Sequence, residues 1–272
     1  TQCRARGRFR KERMSPLVGD WVRFSGSGAQ GMVEEIEPRR NSFIRPAVSN
    51  LDALVVLASG ANPVTDPFLI DRVAAIAGNQ NVPVVLCVNK TDLESGESLT
   101  RIYRHAGFPV FPTSAASGEG VDALHEAVRG KTVAFTGNSG VGKSSILNCL
   151  GFSVETGEVS EKLGRGRHTT RHVELYPVEG GYVADTPGFS TMDIERYELF
   201  RKEELPEGFR EFAPYLGECR FTSCSHTCEK GCAVLKAVEE GKISRSRIDS
   251  YIAMYNEVKD IKEWQLSKTK NV

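Results

Sequence analysis

The stretch Gly137-Asn138-Ser139-Gly140-Val141-Gly142-Lys143-Ser144 satisfies the pattern G-x-x-x-x-G-K-S/T, and its flanks limit what it can fold into. Before it, Lys131-Thr132-Val133-Ala134-Phe135-Thr136 reads as a short buried strand; after it, Ser145-Ile146-Leu147-Asn148-Cys149-Leu150 continues as a helix. Glycines let the backbone wrap an anion, so that N–H groups and the helix N-terminus point at phosphate. Lys143 adds a positive charge for the β- and γ-phosphates, and the Ser144 hydroxyl is placed to ligate Mg²⁺. A chance glycine-rich turn would not come with both a strand and a helix. The expectation is an α/β sheet that binds a nucleoside triphosphate.

Three further segments narrow the nucleotide. Val82 to Val88 reads as an apolar strand ending in Asn89-Lys90-Thr91-Asp92. The Asp92 carboxylate can accept from N1–H and N2–H₂ of guanine, whereas adenine presents an acceptor there and is repelled. Asn89 can read the base edge, and Lys90 can lie along the base. Val110-Phe111-Pro112-Thr113 leads into Ser114-Ala115, whose backbone can contact O6. A lone N-K-x-D is weak; after a strand, with Ser-Ala after the next one, it is specific. Asp185-Thr186-Pro187-Gly188 then matches D-x-x-G, which sets a carboxylate near Mg²⁺ and the Gly188 N–H near the γ-phosphate.

The order of these motifs is unusual. The base-reading elements precede the phosphate loop, whereas an ordinary small GTPase has them last. The same sheet assembles if the chain is circularly permuted. The segment leaving Asp185 then runs directly into the C-terminal part, so hydrolysis can move that part by an order–disorder switch.

The flanks carry other chemistry. Arg4, Arg6, Arg8 and Arg10 alternate with Ala5, Gly7 and Phe9 as in a strand with one basic face. Gly19 to Phe24 and Gly31 to Ile36 read as strands about a turn at Ser25 to Gly28, which suggests a small OB-fold barrel. Lys11 and Arg13 extend a basic stripe, and Trp21, Phe24 and Phe43 can offer stacking surfaces for nucleic acid or simply be core. Residues 45–50 read as a linker. Leu51 to Leu57 reads as a strand and Asp66 to Ala77 as an amphipathic helix. A helix over Val121 to Val128, a hairpin about Gly180-Gly181 and a helix over Ser246 to Val258 follow. With 35 basic and 35 acidic residues the chain is neutral, so a polyanion must be met by local patches. No apolar run approaches transmembrane length, and no signal peptide is evident. The expectation is a cytoplasmic monomer with no membrane segment, and with residues upstream of Thr1.

Of seven cysteines, four crowd one segment. Cys219, Cys224, His226 and Cys232 supply three thiolates and an imidazole, enough for a closed tetrahedral zinc site. Cys228 offers a four-thiolate alternative, and spacing does not choose between them.

N-K-T-D, S-A, G-N-S-G-V-G-K-S-S, G-R-G-R-H-T-T-R and D-T-P-G-F, with a basic β domain before and a Cys/His cluster after, resemble the RsgA (YjeQ/YloQ) family of circularly permuted GTPases. The resemblance covers nearly the whole chain. It implies an OB-fold RNA-binding domain (1–48), a circularly permuted P-loop GTPase domain (49–196) and a mainly α zinc-binding domain (197–272). It also implies a factor for late maturation of the small (30S) ribosomal subunit, stimulated by that subunit and bound to its 16S rRNA. For Mg²⁺ it favours Thr170 beside Ser144, with Asp185 nearby; for zinc it favours Cys219, Cys224, His226 and Cys232, leaving Cys228 spare. Many GTPases place a water-orienting Gln directly after D-x-x-G, but Phe189 stands here and cannot hydrogen-bond a water. His168 is the internal candidate to orient water or serve as base, with Lys143 and Thr170 completing the catalytic set; the alternative is a loop histidine touching RNA phosphate. Arg165, Arg167 and Arg171 can neutralise γ-phosphate charge or meet the ribosome. A metabolic P-loop kinase is disfavoured by N-K-T-D, and a module that uses GTP only as a conformational ligand is the remaining rival.

Overall fold

A computed structural model describes residues 2–7, 9, 14–27, 29–43, 47–151, 173–178, 180–185 and 201–261. The N-terminal strands β1 (Gln2–Ala5), β2 (Val22–Ser27) and β3 (Gln30–Ile36) form a sheet in the order β1-β3-β2, with β1 parallel to β3 and β2 antiparallel. The alternating arginines do not make one long strand. β1 stops at Ala5, the chain turns at Gly7, and Phe9 is helical and 4% exposed, its N–H bonded to the Arg6 carbonyl at 3.2 Å. Burying that ring is incompatible with a flat continuation. Arg8, Arg10, Lys11 and Arg13 lie outside the described residues. Strand β2 runs on to Ser27, so the turn is tighter than expected. Trp21 and Phe24 are exposed, whereas Phe43 is fully buried and cannot stack on a ligand.

Of the expected linker, residues 47–50 are described, and they include a strand. Strand β4 (Ser42–Phe43) pairs antiparallel with β5 (Val48–Ser49), and Val48, Ser49 and Asn50 are buried. Ser49 N–H donates to the Val18 carbonyl at 2.8 Å, and its hydroxyl donates to Asp20 Oδ1 at 2.7 Å. Burial alone would raise the Asp20 pKa; hydrogen bonds from Arg39, the Leu17 N–H and Ser49 outweigh it and lower it. Gly19 (φ +93°) is required here, because a Cβ would stand 2.2 Å from the Ser49 carbonyl oxygen. The expected boundary at 48/49 therefore falls inside a paired strand.

The centre is a six-stranded sheet. Its elements are β6 (Ala53–Ser59), α1 (Pro67–Asn79), β7 (Val84–Asn89), α2 (Glu97–His105), β8 (Val110–Pro112), α3 (Val121–Val128), β9 (Thr132–Gly137), α4 (Lys143–Cys149), β10 (Glu174–Val178) and β11 (Gly181–Asp185). The strand order is β10-β11-β9-β6-β7-β8, parallel throughout except for the β10–β11 hairpin. β6 and β7 are buried along their whole length, which is why they are unbroken apolar runs. Successive residues of β6 face opposite sides. Leu54, Val56 and Ala58 join the α1 core, while Ala53, Val55 and Leu57 join the core under α3 and α4. Helix α2 gave no start signal in the sequence: its N-cap is Gly96 in the left-handed region, with no side-chain cap.

Among the described residues of the C-terminal part are two 3₁₀ turns (Leu205–Gly208 and Arg210–Tyr215) and two helices, α5 (Ala233–Glu239) and α6 (Arg245–Val258). It shares the α1 core, with Leu205, Phe209, Phe212, Tyr251 and Met254 continuous with Ile70, Val73 and Ile76. Gly208 permits the close approach, since a Cβ there would lie 2.8 Å from the Ala75 carbonyl oxygen. Arg247 of α6, with no exposed surface, donates to Glu211 at 2.6 Å and to Asp71 of α1, which also accepts from the Tyr103 hydroxyl. Burial alone would disfavour its charge, but the Asp71 and Glu211 carboxylates outweigh that and raise its pKa. No described helix is long and apolar enough to cross a membrane.

Replacing Arg247 with Met would leave two carboxylates unpaired in the core and should cost about 3–5 kcal/mol. Urea unfolding measures this directly, and a loss below about 1 kcal/mol would show that the network is not structural.

Candidate nucleotide site and metal cluster

Parallel strands deliver their loops to one edge, and the sequence motifs sit there. β9 ends at Gly137 beside Leu57 of β6; Ser59 is in register with Asn89 of β7; Val88 is in register with Pro112 of β8. β11 runs parallel to β9 on its other side, with Ala184 opposite Ala134, and brings the chain to Asp185. Motifs far apart in the sequence thus converge through sheet register alone.

The phosphate loop owes its shape to glycines at φ +156° (Gly137), +82° (Gly140) and +93° (Gly142). Gly142 is demanded by a neighbour as well as by its dihedral angle. A Cβ there would lie 2.3 Å from Asn89 Nδ2, which donates to the Val141 carbonyl at 2.9 Å. Asn89 Oδ1 accepts from the Ala115 N–H at 3.1 Å. At 2% exposure, the Asn89 amide joins the phosphate loop to the Ser114-Ala115 loop. Ser114 is fully buried and donates from its hydroxyl to Asp92 Oδ1 at 2.6 Å, which fixes the orientation of an exposed carboxylate. The Thr91 N–H bonds the Thr113 carbonyl at 3.1 Å. Lys90 is half-buried in the left-handed region (φ +66°), and its ammonium donates to the Asn62 carbonyl at 2.8 Å. Lys143 and Ser144 open α4, both half-buried; Asn138 is half-buried, and Ser139 and Ser145 are exposed. Arg165, Arg167, His168, Thr170, Arg171, Gly188 and Phe189 lie outside the described residues, and of Asp185 only the backbone is described.

The cysteine segment folds into one cluster. The ligand atoms of Cys219, Cys224, His226 and Cys232 lie within 4.8 Å of one another. Cys219 Sγ is 3.5 Å from His226 Nδ1 and 3.9 Å from Cys232 Sγ, and His226 Nδ1 is 3.4 Å from Cys232 Sγ. A tetrahedral ion with ordinary bond lengths needs about 3.8 Å between sulfurs and about 3.5 Å from sulfur to nitrogen, so the donor set fits. Cys228 is exposed and stands outside this group. Burial, with the neighbouring thiols adding to it, pushes the Cys224 thiol up to about 12. The Ala233 and Leu235 N–H groups donate to Cys219 and Cys232 sulfur at 3.3 and 3.4 Å. Glu229, which sequence reasoning missed, accepts from the Ser225, Thr227 and Cys228 N–H groups and holds His226 in its left-handed conformation (φ +58°). Burial would raise its pKa, yet the Ser225 and Cys228 bonds hold it near 2.

Comparison with known families agrees with this layout. The model of the RsgA GTPase matches residues 36–195, and that of the RsgA N-terminal domain matches residues 1–32. The chain belongs to the RsgA family. It is a GTPase of circularly permuted type, with an N-terminal β domain, a mixed α/β sheet and a C-terminal Cys₃His cluster. The "Small ribosomal subunit biogenesis GTPase RsgA" of Agathobacter rectalis is 45% identical over 268 residues, covering 95% of this chain and 88% of that one. Its namesake from Caldanaerobacter subterraneus is 43% identical, covering 95% and 89%. The crystal structure of YjeQ from Thermotoga maritima matches with a TM-score of 0.80 at 32% identity, covering 96% of this chain and 90% of that one. That of YloQ, described as a circularly permuted GTPase, matches with a TM-score of 0.75 at 34% identity, covering 96% and 87%.

Metal analysis of purified variants checks the cluster. Cys228→Ala should keep the metal content of the wild type, and His226→Ala should lose most of it. The reverse pattern would mean a four-thiolate site.

Proposed function

We propose that the chain hydrolyses GTP to GDP and phosphate as a switch in late maturation of the small (30S) ribosomal subunit, with turnover stimulated by that subunit. The observation that supports this most directly is the Asn89 bridge, which ties the base-reading loops to the phosphate loop at one sheet edge. In this reading Asn89, Lys90, Thr91, Asp92, Ser114 and Ala115 form the guanine side. Gly137 to Ser145 hold the phosphates, and Asp185 and Gly188 flank the γ-phosphate. Ser144, Thr170 and Asp185 would hold Mg²⁺, which neutralises charge on the β- and γ-phosphates. Lys143 stabilises the same charge from the protein side. Asp92, aligned by Ser114, selects guanine.

Phe189 supplies no hydrogen bond to water, so intrinsic turnover is slow. His168 orients the attacking water, and Thr170 completes the catalytic set together with Lys143. The relatives named for small-subunit biogenesis support the ribosomal partner. The exposed Trp21 and Phe24 support contact of residues 1–48 with 16S rRNA. Three thiolates and an imidazole suit Zn²⁺, and a closed set makes it structural. Residues 49–196, joined to the first unit through β5, are the GTPase unit and 197–272 the zinc unit of a cytoplasmic monomer.

GTP and ATP hydrolysis should be measured with and without purified small subunits. Slow GTP-only turnover that rises at least about tenfold with subunits is expected. Absence of turnover in both conditions would instead favour a GTP-gated binding module. Asp92→Asn should move preference from GTP toward xanthosine triphosphate; unchanged GTP affinity would sink the guanine assignment.

A further inference from the structure

The phosphate-loop pattern asks for no glycine at position 140, yet the structure does. Gly140 has φ +82°, and a Cβ there would lie 3.2 and 3.3 Å from Cδ and Cγ of Pro63. Pro63 belongs to the short loop between β6 and α1, a segment to which no motif points. Both ends of that loop are fastened. The Thr65 N–H donates to the Ser59 carbonyl at 2.9 Å, and the Ser59 N–H donates to Thr65 Oγ1 at 2.9 Å. The Ser59 hydroxyl exchanges hydrogen bonds with the Ala61 backbone at 3.1 Å. Ser59 is fully buried and Thr65 is 4% exposed, so these bonds are shielded from water. From this base the loop reaches two parts of the pocket. The Pro63 ring lies against the crest of the phosphate loop, and the Asn62 carbonyl accepts from Lys90 Nζ at 2.8 Å.

We propose that the loop 60–65 is a positioning element of the nucleotide pocket. Pro63 holds the phosphate loop in its binding shape, and the Asn62 carbonyl holds the lysine of the base-reading motif. The proposal rests on the GTP reading above. Proline suits the first task, because its ring has few conformations of its own and fixes the backbone that carries it. A loop kept in shape before the ligand arrives loses less freedom on binding, and that difference appears as affinity rather than as chemistry. Pro63 touches no substrate in this account and acts only through Gly140.

The test is Pro63→Ala, which removes the two ring atoms nearest Gly140, with Pro63→Val as the variant that restores apolar bulk. Titration calorimetry with GDP and with a non-hydrolysable GTP analogue should show Kd raised about tenfold in Pro63→Ala and largely recovered in Pro63→Val. The kcat at saturating GTP, the preference for GTP over ATP and the melting midpoint of the nucleotide-free protein should stay at wild-type values. Wild-type Kd in Pro63→Ala would overturn the proposal. So would a fall in melting midpoint that accompanies the loss of affinity, since that marks a merely structural role. Wild-type protein that binds GTP no better than ATP would instead defeat the reading of the site itself, and it would do so without reference to either variant.

Discussion

A guanidinium with no exposed surface holds the molecule together. Arg247 sits on the last helix of the described chain, yet its partners are Asp71 on the first helix of the α/β unit and Glu211 in a 3₁₀ turn. Its guanidinium carbon lies over the Phe209 ring at 4.7 Å and the Phe108 ring at 5.5 Å, so the charge is enclosed by rings as well as by carboxylates. A buried ion network of this kind adds little net stability over apolar packing, but it tolerates almost no misalignment. The bonds from Arg247 to Asp71 and Glu211 set the orientation of α6 against α1. The core around it follows from that constraint: Gly208 admits the 3₁₀ turn to the backbone of α1, and Tyr251 reaches the Ser225 carbonyl at 2.8 Å, setting the metal cluster on the same frame.

That frame reaches the nucleotide site through α1. The helix starts at Pro67, capped by Asp66, whose carboxylate accepts from the Phe68 N–H at 2.9 Å. The Tyr103 hydroxyl lies between the Pro67 carbonyl, at 2.9 Å, and the Asp71 carboxylate, and shares its one proton with them. The first turn of α1 is therefore held by the same network that holds α6. Immediately upstream lies the loop that meets Gly140 and Lys90. The described chain thus contains a packed path from the part with the Cys₃His cluster to the phosphate loop, separate from the segment after Asp185 that joins them covalently.

The nucleotide machinery was legible because it is written in glycines, lysines and carboxylates at fixed spacings after apolar strands. Reading the motifs together also disclosed the permutation, since a sheet depends on which strands are neighbours and not on their order along the chain. Less legible was anything decided by a partner distant in sequence. The motif spacing pointed Asn89 at the base edge; only the 2.3 Å that a Cβ at Gly142 would leave shows that its amide is also fitted to the phosphate loop. The arginine alternation at the N-terminus carried the period of a strand, but burial of Phe9 bent the chain after Ala5. Residues 45–50 had the composition of a linker, and long-range bonds from Ser49 to Val18 and Asp20 turned part of them into a strand. Arg247 gave no signal at all, since an arginine in an amphipathic helix is ordinarily a solvated one.

The metal cluster shows the same division from the other side. Spacing named the ligand types but left Cys228 and His226 as equal candidates, because both are within reach along the chain. The choice is made by backbone shape. His226 is one of the few non-glycine residues with positive φ, and Glu229 stabilises that turn by gathering the N–H groups on either side of it. The turn directs the imidazole inward among the three thiols and leaves the Cys228 side chain in solvent. A carboxylate outside the cluster thus shapes the turn that gathers these four side chains. Such outer partners are what keep a small polar segment in one arrangement, where apolar burial by itself is too slight to do so.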